Sequence, residues 1–159
     1  MLKYMDNRYN FFYFEAEFKK YLIAGKAEVS TVKNYLSDLH YFFSWLQSAQ
    51  HMSDLAHSEL SDVFSHSLIY SYFNYLTASI TAENTIIRRF ASLRKFFDLC
   101  IDQRWIQSNP VDDFNKQTKK DEREGLLKAY KTSIESRNIE KSDIDRQINI
   151  IRDLITNFN

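Results

Sequence analysis

Glycine, proline and cysteine are scarce in this chain, with 2 Gly, 1 Pro and 1 Cys among 159 residues. Glycine and proline form the tight turns that join strands, so their scarcity disfavours a multi-stranded sheet and predicts an all-α fold. The single cysteine, Cys100, excludes an intrachain disulfide framework. It falls on an apolar helical stripe, which predicts a small buried side chain.

Several motifs that carry chemistry are also missing from the sequence. There is no glycine-rich phosphate loop, no Cys-x-x-Cys pair and no His-Glu-x-x-His motif, so nucleotide hydrolysis, structural zinc and zinc-protease chemistry lack their minimum parts. His51 and His57 are six positions apart in a polar stretch, a spacing too loose to indicate a metal site. We therefore expect neither a cofactor nor a metal.

The chain has no net charge, because it contains 21 basic and 21 acidic residues. A chain without net charge lacks the strong positive field of a purely electrostatic nucleic-acid binder, so any DNA site must be a local patch. No apolar run is long enough to span a bilayer, and the first 17 residues lack the basic and then apolar order of a signal peptide. These absences predict a cytoplasmic protein that has no membrane partner.

Apolar residues are abundant, since 44% of the chain is hydrophobic and 16% is aromatic, which is enough to form one compact core. They recur at helical spacing in four segments. The predicted helices span residues 10–24, 31–47, 65–76 and 82–103. Ser30 and Thr81 are the predicted N-caps of the second and fourth helices, and residues 48–57 are predicted to form a loop.

The composition changes after Phe114. Before this point, Asn109-Pro110 disfavours helix at Asn109 and is predicted to close the first unit. The residues that follow are polar or charged, which is typical of a linker, and beyond them lie two further amphipathic patterns. The predicted organisation is a domain over residues 1–114, a polar linker over 115–125 and a C-terminal helical extension over 126–159.

Two segments of the sequence resemble a known family. Residues 30–39 read STVKNYLSDL, and residues 85–97 read TIIRRFASLRKFF, followed by Asn109-Pro110-Val111. In helix order and spacing they resemble the N-terminal SAM-like core-binding domain of tyrosine recombinases, the phage-integrase type that includes the Xer proteins. The resemblance covers about residues 10 to 114. It implies a bundle of four to five helices that forms one jaw of a clamp around duplex DNA.

The resemblance further implies that the second and fourth helices face the major groove. On the fourth helix, a wheel drawn at about 100° per residue can test this independently. It places Arg88, Ser92 and Lys95 opposite the buried Ile86, with Arg94 and Arg89 toward the flanks. A basic and small-polar face is therefore predicted on this helix.

The same construction on the second helix places Asn34, Ser37 and Asp38 outward. Thr31 and Lys33 fall in its first turn, where backbone N–H groups can also meet phosphate. Tyr41 and Trp45 lie near the polar side and are predicted to make exposed contacts. The candidate DNA-binding residues are Thr31, Lys33, Asn34, Arg88, Ser92, Arg94 and Lys95.

These residue types suit contact with a nucleic-acid backbone. Arginine and lysine neutralise phosphates, and Thr, Ser and Asn hydrogen-bond phosphate oxygens or base edges. A competing interpretation is that Arg88, Arg94 and Lys95 form an ordinary solvated helix face balanced by Asp98 and Asp102. The family resemblance favours DNA contact over this alternative.

The resemblance implies that DNA cleavage belongs to a separate C-terminal domain, where a tyrosine attacks the phosphodiester and cationic side chains stabilise the transition state. The family's His-x-x-Arg motif is absent from this sequence. Three positions after His40, His51, His57 and His66 stand Phe43, Asp54, Leu60 and Ile69. Tyr130 is therefore interpreted as a packing residue. No catalytic residue is predicted, and the chain by itself is expected not to be an enzyme.

Two functional hypotheses follow. The first is the DNA-binding core-binding domain of a tyrosine recombinase or integrase, acting in site-specific DNA recombination and integration. It binds double-stranded DNA without a catalytic domain, as a truncated or remnant form. The second is a helical protein–protein interaction or oligomerisation module that has lost DNA binding, whose C-terminal helices bind a recombinase catalytic domain or another protomer. Leu36 and Ser37 favour the second, because the family frequently has an arginine after the position of Tyr35.

Overall fold

The computed structural model describes residues 6–117 and, beyond them, residues 128, 131–132, 143, 145–146, 148–150 and 152–153. The elements in chain order are β1 (Arg8–Asn10), α1 (Phe11–Ala24), α2 (Val29–Ala49), β2 (Asp54–Ala56), a 3₁₀ turn (His57–Glu59), α3 (Leu60–Val63), α4 (His66–Ala78), α5 (Glu83–Asp102) and α6 (Pro110–Gln117). The helices predicted from periodicity are α1, α2, α4 and α5. The all-α class is confirmed.

The starts of α2 and α5 differ from the predicted caps. Ser30 is not the N-cap of α2, because that helix begins at Val29 after Glu28. Thr81 is not the N-cap of α5, because Ala82 precedes that helix. Within the described residues, no capping side chain accepts a hydrogen bond from a backbone N–H at either start. These two long helices are therefore stabilised by burial of their apolar faces and not by caps.

Part of the predicted loop over residues 48–57 is a short strand. β2 pairs antiparallel with β1, and Arg8 stands opposite Ala56. The Arg8 guanidinium joins the two strands, because it lies 2.7 Å from Asp54 and 2.7 Å from Glu59. Strands of three residues are too short to show an alternating pattern, so periodicity did not predict them.

Aromatic rings fill the centre of the bundle. Phe43 stacks on Phe11 with 4.5 Å between ring centroids and meets Phe96 edge-on at 5.6 Å, so α1, α2 and α5 share one core. Cys100 is fully buried, as predicted, and burial raises the pKa of its thiol. The prediction for Trp45 is wrong, since this side chain is 4% exposed beneath α4 and cannot make an exposed contact.

Asn109 is not helical, as predicted, but a helix begins directly after it at Pro110. Pro110 is the first residue of α6, a position where a proline's missing N–H leaves no hydrogen bond unmade. The Asn109 side chain accepts a hydrogen bond from the Val111 N–H at 3.1 Å and donates one to the Arg94 carbonyl at 3.0 Å. It therefore starts α6 and ties it to α5. The described part of this helix runs to Gln117, inside the predicted linker.

Two described residues of the C-terminal extension, Ile150 and Asp153, contact the first 114 residues. Ile150 is 1% exposed and belongs to the hydrophobic cluster. A hydrogen bond to Asp153 raises the pKa of the Glu83 carboxyl at the start of α5. The predicted role of Tyr130 and the exact bounds of the two helices predicted within residues 126–159 lie outside the described residues.

Candidate nucleic-acid interface

α2 and α5 meet at a buried carboxylate. Asp38, on α2, is 2% exposed. Its Oδ1 accepts a hydrogen bond from Arg88 Nη2 at 2.8 Å, and its Oδ2 accepts one from the Ser92 hydroxyl at 2.7 Å. The prediction that Asp38 faces outward is wrong. Its spacing from Tyr35 and Phe42 places it at the edge of the apolar stripe of α2, and α5 covers that edge.

Ser92 also lies inside the bundle. It is 0% exposed, and its hydroxyl contacts the Arg88 carbonyl oxygen one turn earlier at 2.9 Å. The wheel grouped the two residues because they lie only about 40° apart on the helix. However, α2 packs against the Ser92 side of α5 through Asp38. The outward placement of Ser92 is therefore wrong, and its hydroxyl bonds to protein instead of solvent.

Arg88 is paired with Asp38 and still reaches solvent. Its side chain is 41% exposed, whereas that of Asp38 is 2% exposed. The Arg88 Nε is buried and has no hydrogen-bond partner among the described residues. A guanidinium that is bonded to one carboxylate can still donate hydrogen bonds from its exposed N–H groups to a second anion. The carboxylate thus offsets part of the charge of Arg88 and orients its outer edge.

Arg89 brings a second cation to the same carboxylate. Its Nε lies 4.0 Å from Asp38 Oδ1, and its side chain is 15% exposed. Its guanidinium carbon lies 3.5 Å from the centre of the Tyr41 ring, a cation–π contact, and the Tyr41 hydroxyl is 3.3 Å from that of Tyr75. Tyr41 is half-buried, and its ring contacts the Arg89 guanidinium. Arg88, Arg89 and Asp38 together carry one more positive than negative charge.

Helical periodicity did not predict this cluster of Asp38, Arg88, Arg89 and Ser92. One signal for it was present, because Asp38 interrupts the edge of an apolar helical stripe. A carboxylate in such a position is buried only when a cation or hydrogen-bond donors meet it. Consecutive arginines on α5 are the cations that meet it here.

Lys95 and Arg94 lie in different environments on α5. Lys95 is exposed, and its Nζ lies 5.4 Å from the centre of the Tyr21 ring, within reach of a cation–π attraction. Arg94 is 46% exposed and forms an ion pair with Asp112 of α6, with 2.9 Å between Nε and Oδ1. Lys95 is thus accessible to an external anion, whereas Arg94 already holds a carboxylate.

The beginning of α2 supplies polar groups to the surface. Lys33 and Asn34 are exposed, as predicted, and Thr31 is half-buried. Val29, the first residue of the helix, is 85% exposed, and the first turn contains no acidic residue. The N–H groups of a first turn lack intrahelical partners and carry partial positive charge, which favours anions, and the Glu28 carboxylate before the helix offsets part of this attraction.

The family profile of the phage integrase N-terminal SAM-like domain matches residues 16–104, which is more than half of the chain. This chain belongs to that family. The matched segment of the SAM-like domain begins within α1 and ends just after α5. It contains every residue predicted to contact DNA, whereas α6 lies beyond it.

A curated relative extends the same assignment. Tyrosine recombinase XerC from Syntrophus aciditrophicus (strain SB) is similar to this SAM-like domain, with 30% identity over 97 residues. The similarity covers 60% of this chain and 31% of XerC, so the chain spans about a third of the length of the relative that it matches. No solved structure shows a significant match to the chain.

The described residues contain neither a membrane-spanning helix nor a group of metal ligands. In the part of the chain that the structure describes, no helix is both long and apolar enough to cross a membrane. Across those same residues, no three His, Cys, Asp or Glu side chains are grouped so that they could hold a metal ion.

Proposed function

We propose that this SAM-like domain binds duplex DNA as the core-binding part of a tyrosine recombinase or integrase. The observation that carries the proposal is the outer side of α5. There Asp38 holds Arg88 with 41% of the arginine side chain exposed, and Lys95 is exposed two turns further along the same face. A separation of about 10 Å along the helix axis suits contact with separate phosphates of one duplex.

The start of α2 adds to this surface. Lys33 supplies a third cation, and Thr31 and Asn34 supply hydrogen-bonding groups beside the first turn of the helix. Phosphate contacts of this kind release counterions, so affinity falls as the salt concentration rises, with a slope of about 0.9 per contact. The proposed binding is therefore sensitive to salt and depends weakly on sequence.

Fluorescence anisotropy of a labelled mixed-sequence duplex, titrated at two salt concentrations, tests the proposal. Arg88→Ala and Lys95→Ala should each weaken binding and reduce the salt slope by about 0.9. Lys20→Ala is the matched control, because Lys20 is an exposed cation on α1 that pairs with Glu17. Unaltered slopes in both α5 variants, or an equal change in the control, would refute the assignment to α5.

A second candidate function is protein binding without DNA contact. It is favoured by the ion pairs of Arg88 with Asp38 and of Arg94 with Asp112, which offset two cations of α5. In that case the C-terminal helices bind a recombinase catalytic domain or a second protomer. The same anisotropy titration separates the two functions, because a protein-binding module shows no salt-dependent association with the duplex at low salt.

We propose in addition that these residues do not cut DNA by themselves. The proposal rests on the missing His-x-x-Arg motif. Incubation of the chain with supercoiled plasmid tests for nicking. A cytoplasmic location, expected from the sequence, is tested by cell fractionation.

A further inference from the structure

Asp112 of α6 pairs with Arg94, one of the cations of α5 predicted from the sequence to contact DNA. Asp112 Oδ1 lies 2.9 Å from Arg94 Nε, and the two side chains are 27% and 46% exposed. Carboxylate and phosphate oxygens bind a guanidinium through the same N–H groups. A phosphate can therefore use the Nε of Arg94 only after Asp112 has moved away from it.

The first turn of α6 is fixed against α5, which keeps this acid in reach of Arg94. The Asn109 side-chain amide donates to the Arg94 carbonyl and to Asp98 Oδ1, both at 3.0 Å. Val111, next to Asp112 in the chain, is fully buried. Asp112 is thus held at the surface of α5 by contacts that do not depend on its own charge.

We infer that Asp112 competes with DNA phosphate for Arg94, so that α6 lowers the affinity of the domain for duplex DNA. This inference rests on the proposed function, because it concerns the same surface of α5. Arg94 lies inside the family match and Asp112 lies beyond it, so the competing acid comes from outside the matched domain. Because both side chains are partly exposed, the pair is weak and the inhibition is partial.

Asp112→Asn tests the inference, since it removes the charge and retains the size of the side chain. At low salt the variant should bind a mixed-sequence duplex about two- to fivefold more tightly than the unchanged chain, because an exposed ion pair of this strength is released. Its salt slope should be steeper by about 0.9, the contribution of one additional phosphate contact. Thermal melting of each variant verifies that the fold is retained.

Asp113→Asn is the matched control. Asp113 carries the same charge on the same turn of α6, and its carboxylate accepts a hydrogen bond from the Ser108 hydroxyl at 2.5 Å. This control variant should bind DNA like the unchanged chain. In a background of Arg94→Ala, the substitution Asp112→Asn should no longer raise the affinity, because the cation that it releases is missing.

The outcomes separate this inference from the proposed function. If the unchanged chain binds DNA but Asp112→Asn and Asp113→Asn behave alike, the inference fails and the proposed function stands. If the gain from Asp112→Asn persists when Arg94 is replaced, the acid acts by general repulsion of phosphate and the inference also fails. If neither the unchanged chain nor any variant binds DNA, the proposed function and this inference are both refuted. A gain that is specific to Asp112 and requires Arg94 supports both.

Discussion

Asp38 is expected to be among the positions of α2 where a substitution costs most stability. Asp38→Ala removes the acceptor of the hydrogen bonds from Arg88 at 2.8 Å and Ser92 at 2.7 Å. It also removes the opposite charge 4.0 Å from Arg89, whose side chain is only 15% exposed. Arg89 cannot regain water without opening the contact between α2 and α5, so its charge is left buried and unpaired.

The magnitude follows from the exposure of each partner. Breaking a buried ion pair from one side costs about 3–5 kcal/mol. Two features reduce this value here, because Arg88 is 41% exposed and can turn to solvent, and because the Ser92 hydroxyl keeps its contact with a backbone carbonyl. We expect a loss of about 2–4 kcal/mol for Asp38→Ala. Asp38→Asn keeps one acceptor oxygen, so we expect about 1–2 kcal/mol.

Urea denaturation followed by far-ultraviolet circular dichroism measures both losses. The midpoint should fall in the order unchanged chain, Asp38→Asn, Asp38→Ala, and the slope of unfolding free energy against urea should stay constant. Substitutions on an ordinary surface change stability by less than about 0.5 kcal/mol. A loss below that value for Asp38→Ala would show that the carboxylate is solvated and that the buried cluster does not exist.

Two further predictions concern His57 and Ile150. His57 stacks between Tyr9 and Trp105, with 4.7 Å and 4.3 Å between ring centroids, and burial lowers its pKa from the usual 6.5. Because the unfolded chain then binds the proton more readily, the contribution of His57 to stability is complete above about pH 6.5 and is lost as the pH falls below it. The difference in melting temperature between the unchanged chain and His57→Phe should therefore vary between about pH 5 and 7, and a constant difference would contradict this. Ile150 is 1% exposed, so Ile150→Ala should cost about 2–4 kcal/mol in urea denaturation, and a negligible change would mean that the C-terminal extension does not pack on the core.

The helices could be predicted from the sequence because each carries its own apolar periodicity. The stripe of Ile86, Phe90 and Leu93 requires one side of α5 to be buried, whatever covers it, and these three residues are buried. Cys100 follows the same stripe and the same rule. Elements that lack a period, such as β1 and β2, depend on pairing with a distant segment and left no such local signal.

The candidate site was only partly predictable for the same reason. Lys33, Asn34 and Lys95 are exposed, as a helix wheel predicts, because they lie far from any apolar stripe. Residues at the edge of a stripe are buried or exposed according to the neighbouring helix. Asp38 lies at such an edge and is buried, and Ser92 is buried because the covered side of α5 extends beyond the stripe to include Phe96 and Leu99.

By itself the sequence determined the helical class, the four long helices and the family, since these depend on local periodicity and on the order of residues along the chain. Only the tertiary structure decided which charged groups meet. Asp38 reaches Arg88 across 50 positions and Asp112 reaches Arg94 across a turn between helices. Ion pairs of this kind depend on the distance between side chains in space, and a wheel drawn for one helix contains no information about that distance.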